Sequence, residues 1–415
     1  VIFSEADRNL AEQLFAQVAA ATAAPGGGVC RPSYGNNETI AWQIIAEAAT
    51  DLGLYARGDL ADNLVISRDP VPFRTDARST CVGSHLDSVP HGGNYDGLAG
   101  VVAAVLLIAK SRELKIDVPL VGLGLRGEES AWFGVPYLGS KAILGKITWR
   151  DLERRRRITD DDTAGLALGS CLERLVLHPD RIVQTPITQP DQIREFWELH
   201  IEQGPVLVAR GKPVGVVTGI CGNARAPRAQ ITGRPGHSGT TPHDLRDDAV
   251  VRFAEIMTKL EARRRTLAER GDDLVFTCGI VGTNPQKHAI TTIADEVNLA
   301  LDVRSLDDRT AREFLTYAES LGVNLGEVVE TPSAVIAPAT WRRAQLACVS
   351  LGIDHMVMPS GAGHDAAMFQ QSGVPSGMIF VRNDNGSHNP NEAMSTDDFL
   401  LGCEALWQTI LDGNR

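Results

Sequence analysis

The chain has 415 residues, 43% hydrophobic and 22% charged, with a net charge of −12 and a pI near 5.3. That length holds two or three domains with sizeable cores, and the acidic balance argues against nucleic acid or an anionic membrane as the main partner, since either calls for a basic face. No stretch approaches the ~18 consecutive apolar residues of a membrane span. No basic-then-apolar segment opens the chain, and seven scattered cysteines without a CxxC read as reduced thiols of a cytoplasmic protein.

Residues 4–20 show apolar positions at helical spacing, and the alanines, Pro25 and glycines of 19–28 end that helix. A second helix is expected over 39–53 and strands over 63–67 and 80–84. Residues 97–111, apolar and alanine-rich, read as a buried helix, followed by a strand over 118–125. The run Arg154–Arg157 with Asp160–Asp162 reads as a solvated loop or helix edge. Strands are expected over 196–199, 214–218, 229–232, 275–281, 296–304 and 378–381, with helices over 247–269 and 309–320. Strands alternating with helices imply an α/β fold. Its large domain, a central mixed sheet flanked by helices, comprises 1–211 and 331–415. A smaller α+β domain at 212–330 interrupts it.

Ligands of open α/β sheets gather at the carboxyl ends of strands. His85 and Asp87 follow one predicted strand, and Asp96 follows in a glycine-rich loop, within GSHLDSVPHGGNYDG (83–97). Glu128 and Glu129 follow the next strand. His200 stands in ELHIEQGP and His388 in GSHNPNE, each after a further strand. Singly these signals are weak, because a strand-end histidine is more often structural and adjacent glutamates usually mark a solvated turn. Together, four strand ends each supply a ligand type and none supplies a basic cluster. This N/O mixture suits zinc, manganese, cobalt or nickel, and a carboxylate between two ions can bridge them at ~4 Å.

These segments, with EES, GHSGTTP, ALDVRS and PSGAGHDA, resemble in combination and order the di-metal amidohydrolases and peptidases of the M20 type. ELHIEQGP selects the hydantoinase/carbamoylase branch: N-carbamoyl-L-amino acid amidohydrolases, allantoate amidohydrolases and β-ureidopropionases. The resemblance covers nearly the whole chain. It implies two divalent ions (Zn, Mn, Co or Ni), with Asp96 bridging, His85 and Glu129 holding one ion or sharing it with the bridge, and His200 and His388 completing the pair. Asp87 would accept the second ring N–H of His85, and Glu128 would be the non-ligand carboxylate that moves the proton.

In the small domain, a lid and dimerisation domain by this resemblance, His237 would stabilise the oxyanion of a neighbouring subunit. Its bland alternative is a residue beside a helix cap made by Ser238 or Thr240. Arg304 would clamp a substrate carboxylate, its alternative being a surface ion pair with Asp302 or Asp307. Gln203 and Arg225 match polar substrate contacts, and Gly361 and Ala362 would offer backbone N–H groups. Two segments depart from the pattern. Thr291 stands where the family has an asparagine, and Ser130–Ala131–Trp132–Phe133 replaces Gly-x-Arg-Phe, which alters the expected recognition shell. The sequence thus predicts a cytoplasmic homodimer that hydrolyses a linear amide or ureido C–N bond of a small carboxylate-bearing N-carbamoyl or N-acyl amino acid. An aminoacylase or dipeptidase is the alternative enzyme, and a non-catalytic metal- or amino-acid-binding protein the alternative class.

Overall fold

The computed structural model describes residues 2–73, 77–159, 161–184, 188 and 190–414. Its chain forms two compact units, one of residues 1–218, 336–358 and 364–415, the other of 219–335 and 359–363. The sequence reading divides the chain at 211/212 and 330/331. The strand Val214–Ile220 runs antiparallel to Ser376–Val381, so the backbone stays in the first unit's sheet until Thr218.

The first unit is built on a mixed sheet flanked by helices. In strand order it runs Tyr55–Gly58, Leu64–Ser67, Leu120–Leu125, Ser79–His85, Ile193–Ile201, Ser376–Val381, Val214–Ile220. The four central strands are mutually parallel. Strands buried on both faces read as continuous apolar runs, and Leu64–Ser67, Ser79–His85, Leu120–Leu125 and Ser376–Val381 are buried throughout. The helix Leu98–Glu113 is apolar on nearly every side, and all residues from Leu98 to Ile108 are buried. A helix apolar all round belongs in a core. This one packs against Ser79–His85 and Leu120–Leu125.

One reading of this region needs correction. Arg157, expected on a solvated edge, is buried; its guanidinium donates to the Ser33 carbonyl and lies 5.0 Å from the Phe133 ring. Asp160 of the same run lies outside the described residues. Trp132 is buried as well, in a cluster with Tyr34, Phe133 and Leu138. Its indole N–H donates to the Ser88 carbonyl at 2.8 Å.

The second unit is a four-stranded antiparallel sheet, ordered Val329–Thr331, Gly222–Thr232, Glu296–Ser305, Val275–Gly282, with helices Ala249–Glu269 and Asp308–Ser320. Val297, Leu299, Leu301 and Val303 alternate into its core with Phe314 and Leu315, as a strand with one covered face requires. The Asp248 carboxylate, not Ser238 or Thr240, caps the first helix by accepting the Val250 N–H at 3.0 Å. Cys81, Cys171, Cys221, Cys278, Cys348 and Cys403 are free thiols. Among the described residues no helix is long and apolar enough to cross a membrane.

Gly100 sets how closely the buried helix approaches the sheet. A Cβ there would lie 2.3 Å from the Leu199 carbonyl oxygen and 2.6 Å from Ser84 Cβ. Overpacking of this kind costs ~1–3 kcal/mol. Gly100→Ala is therefore expected to lower the calorimetric melting temperature by several degrees. Gly279→Ala, which meets nothing within 4 Å, should leave it nearly unchanged.

Candidate metal centre

Three parallel strands end side by side, and each delivers a polar group at its carboxyl end. Ser79–His85 ends in His85, Ile193–Ile201 carries His200 one residue from its end, and Leu120–Leu125 runs through Arg126 and Gly127 to Glu128 and Glu129. All four side chains are buried. The strand end before Glu128 is pinned from below. Buried Glu38 pairs with Arg126 at 2.7 Å and accepts the Gly127 N–H at 2.9 Å. Asn63 accepts the Arg126 N–H at 3.0 Å.

Asp87 joins these strand ends. Its carboxylate accepts the N–H of Glu128 and of Glu129, each at 3.0 Å, and the Ser33 hydroxyl at 2.6 Å. His85 Nδ1 lies 3.1 Å from the Asp87 carbonyl and 3.4 Å from its carboxylate. Burial opposes charge on Asp87, but its contacts to His85, Ser33 and the Glu129 N–H hold its pKa below the usual range.

Asp96 follows in the glycine-rich loop. Its Oδ1 is 3.5 Å from His85 Nε2 and 3.2 Å from His200 Nε2. Its Oδ2 is 3.3 Å from His388 Nε2, and His388 is 3.5 Å from Glu129. Two ligand groups thus share one carboxylate: His85, Asp96 and His200, and Asp96, Glu129 and His388. The resemblance paired His85 with Glu129. Their ligand atoms are also near, in a set with Glu128, but the shortest contacts pair His85 with His200, whose strands flank each other. Gly97 makes room for this. It has φ +70°, and a Cβ there would sit 2.4 Å from His85 Nδ1. Gln203, itself at φ +65°, donates from Nε2 to Asp96 Oδ2 at 2.9 Å.

The donor set fits a cation. Asp96 Oδ1 is buried and accepts no hydrogen bond. His85 Nδ1 faces the Asp87 carbonyl and His200 Nδ1 the Ile201 carbonyl at 2.8 Å, which assigns the ring protons to Nδ1 and turns both Nε2 lone pairs inward. The two Nε2 atoms are 3.4 Å apart. The Gly97 N–H meets His200 Nε2 at 3.3 Å; the His85 Nε2 lone pair and Asp96 Oδ1 repel one another unless positive charge lies between them. Protons on the rings can supply that positive charge as well as a cation. Burial works against charge on His85, yet Asp87, Asp96 and Glu128 hold its pKa well above the usual imidazole value. Contact with Asp96 lifts His388 to about 9. Burial lifts Glu129 to about 7, helped by Asp96. It pushes Glu128 well above the carboxylate range; His85 draws it back while Glu129, Asp365 and Asp87 add to the rise.

The other expected residues belong to the second unit. His237 is exposed on the short strand Gly236–His237, paired with Thr292–Ile293, and its Nδ1 accepts the Gly239 N–H at 3.1 Å. The Thr291 carbonyl accepts the Ser238 N–H at 2.8 Å. Arg304 donates to Asp302 at 2.9 Å and 3.1 Å and to the Gly361 carbonyl at 2.7 Å. Arg225 lies 3.5 Å from Asp302. The Ala362 N–H is taken by the Ser360 hydroxyl at 3.2 Å.

The model of peptidase family M20/M25/M40 matches residues 81–412. The chain belongs to this family. Its members use divalent metals, and the ligand groups above lie within the matched span. The chain is 32% identical to the N-carbamoyl-L-amino acid amidohydrolase of Geobacillus stearothermophilus, over 93% of each chain. It is 30% identical to the allantoate amidohydrolase of Escherichia coli, over 96% of each. A hydantoinase/carbamoylase family amidase from Burkholderia ambifaria superposes with a TM-score of 0.82 at 28% identity, over 98% of this chain and 97% of that one.

Sequence reasoning overlooked several groups that brace this M20 centre. Glu198 accepts the Ser84 hydroxyl at 2.7 Å and the Ala366 N–H at 2.8 Å, directly behind His200. The His364 ring stands edge-on to His200, with centroids 4.5 Å apart. Ser33 and Glu38 hold Asp87 and Gly127. The alternation of Glu198 with His200 along one strand was available as a signal; the others depend on tertiary contacts.

The prediction here concerns Asp87. Asp87→Asn keeps size but turns an NH2 group toward one of two N–H donors. A buried donor left unsatisfied costs ~1–3 kcal/mol. Urea unfolding of the metal-depleted protein should show that loss, whereas unchanged stability would mean that Asp87 does not hold the Glu128–Glu129 turn.

Proposed function

We propose that this M20-family chain is a two-metal amidohydrolase that cleaves the linear amide or ureido C–N bond of an N-carbamoyl or related N-acyl amino acid. The observation that carries the reading is Asp96, whose two oxygens face separate ligand groups. His85 and His200 would hold one ion, Glu129 and His388 the other, with Asp96 between. Bound divalent ions supply Lewis acidity toward an oxygen ligand. Zinc, manganese, cobalt and nickel all suit the donor set.

The protein's own groups do the rest. Glu128 is 4.0 Å from His85 Nε2 and shares a group with His85 and Glu129 rather than with Asp96. It takes a proton from the attacking water and returns it to the leaving nitrogen, which departs as the free amine. A carboxyl lifted by burial has proton affinity for both steps. Among the described residues nothing donates a hydrogen bond to the buried Gln203 Oε1, which can accept an N–H of the carbamoyl group. That unfilled acceptor, together with the named relatives, favours the carbamoylase reading over an aminoacylase or dipeptidase.

From the second unit, acting as a lid and dimerisation domain of a cytoplasmic homodimer, His237 would donate to the developing oxyanion. Arg304 would release Asp302 to grip the substrate carboxylate through a planar two-point contact. Arg225, Thr291, Gly361 and Ala362 complete the substrate contacts in this reading.

The test is a screen of N-carbamoyl, N-formyl, N-acetyl and dipeptide substrates, with EDTA and with added Mn²⁺, Co²⁺, Ni²⁺ or Zn²⁺, following amine and ammonia release. Activity should vanish with chelator, return with metal and be greatest on N-carbamoyl substrates. Glu128→Gln should keep its metal and lose ~10²–10⁴-fold in kcat; near-normal turnover would remove Glu128 from the reaction. Arg304→Ala should mainly raise KM, by the ~1.5–3 kcal/mol of a charge-assisted contact. His237→Ala should mainly lower kcat, by ~10²–10³-fold.

A further inference from the structure

Glu392 closes the motif SHNPNE and is buried, 7% exposed. Its Oε1 accepts the Tyr95 N–H at 2.8 Å and the Asp96 N–H at 3.2 Å. Its Oε2 lies 2.6 Å from the Ser387 hydroxyl oxygen. That hydroxyl also lies 2.6 Å from Asp96 Oδ2. One side chain therefore ties the loop that carries Asp96 to the loop that carries His388, through main chain on one side and through a hydroxyl on the other. The loop reserves space for it: a Cβ on Gly93 would lie 2.0 Å from Glu392 Cδ. His388 itself sits at φ +58°, a conformation that a non-glycine residue keeps only where its surroundings impose it.

We propose that Glu392 is a positioning residue for the second ligand group. It fixes the spacing of Asp96 and His388, two ligands supplied by loops about 290 residues apart in sequence, and orients Asp96 Oδ2 through Ser387. Groups of this kind commonly change metal affinity by ~10–100-fold without touching the ion. The inference rests on the metal-centre reading above. It assigns to Glu392 the affinity of the Glu129–His388 side and no part in proton transfer.

The frame can be dissected by substitution. Glu392→Ala removes both links. Glu392→Gln keeps an oxygen for the two amide N–H groups and offers an NH2 to Ser387, whose hydroxyl hydrogen is then free for Asp96. Ser387→Ala cuts only the hydroxyl link. Gly93→Ala leaves every hydrogen-bonding group in place but displaces the Glu392 carboxylate.

The experiment titrates the metal-depleted full chain with Mn²⁺ by calorimetry, with elemental analysis of stoichiometry, and records the melting temperature of each metal-depleted form. One of the two Mn²⁺ sites should lose ~10–100-fold in affinity in Glu392→Ala and in Gly93→Ala. The loss should be smaller in Ser387→Ala, and Glu392→Gln should stay near wild type. The other site should hold in all of them. Wild-type affinity in folded Glu392→Ala and Ser387→Ala overturns the proposal, as does a loss in Glu392→Gln equal to that in Glu392→Ala. If Glu392→Ala does not fold, Ser387→Ala and Gly93→Ala decide by the same criterion. A wild-type chain that takes up no Mn²⁺ instead defeats the metal-centre reading itself.

Discussion

The carboxylate of Asp96 is asked to serve two sides at once. Oδ1 faces His85 and His200, while Oδ2 faces His388, Gln203 and Ser387. Burial alone would drive this group to its neutral form, yet its contacts with His200, His388 and His85 hold its pKa well below the ordinary range. Three imidazoles converge on one buried anion through Nε2, where each ring can carry either a proton or a cation. Such an arrangement has a low energy only with positive charge inside it. The parallel strands, the glycines and the bracing carboxylates all serve to hold that crowded geometry.

The fold supplies the geometry cheaply. Adjacent parallel strands lie ~4.8 Å apart, so residues at matched carboxyl ends project into one small volume without special backbone. What does need special backbone is the return of Asp96 toward His85, and that is where Gly97 adopts φ +70° with no space for a Cβ. Asp87 then couples the strands energetically, since one carboxylate satisfies the amides of Glu128 and Glu129 and also faces His85. His85 on one strand is thereby placed relative to Glu128 on the next.

Much of this was legible in the chain. His85, Asp96, Glu129, His200 and His388 stand at strand ends or in glycine-rich loops, positions that sequence pattern marks directly. The buried helix that starts at Leu98 announced itself by its unbroken apolar run. Three things were not legible. Which ligand faces which depends on strand order: Ile193–Ile201 is more than 100 residues from Ser79–His85 yet is its neighbour. The bracing residues Ser33, Glu38, Glu198 and Glu392 look like ordinary polar residues, and only their long-range partners distinguish them. Arg157 was misread because a run of charge suggests surface, whereas its guanidinium lies over the Phe133 ring and donates to the Ser33 carbonyl.

The central claim is that one carboxylate joins two ions. It is tested most directly by electron paramagnetic resonance of the protein loaded with two equivalents of Mn²⁺. Ions bridged at the ~3.5–4 Å of two-metal sites are exchange-coupled, so the account predicts the multiline spectrum of a coupled pair, lost in Asp96→Ala. A six-line signal of isolated Mn²⁺ that grows linearly through both equivalents, or saturation at one ion per chain, would contradict it.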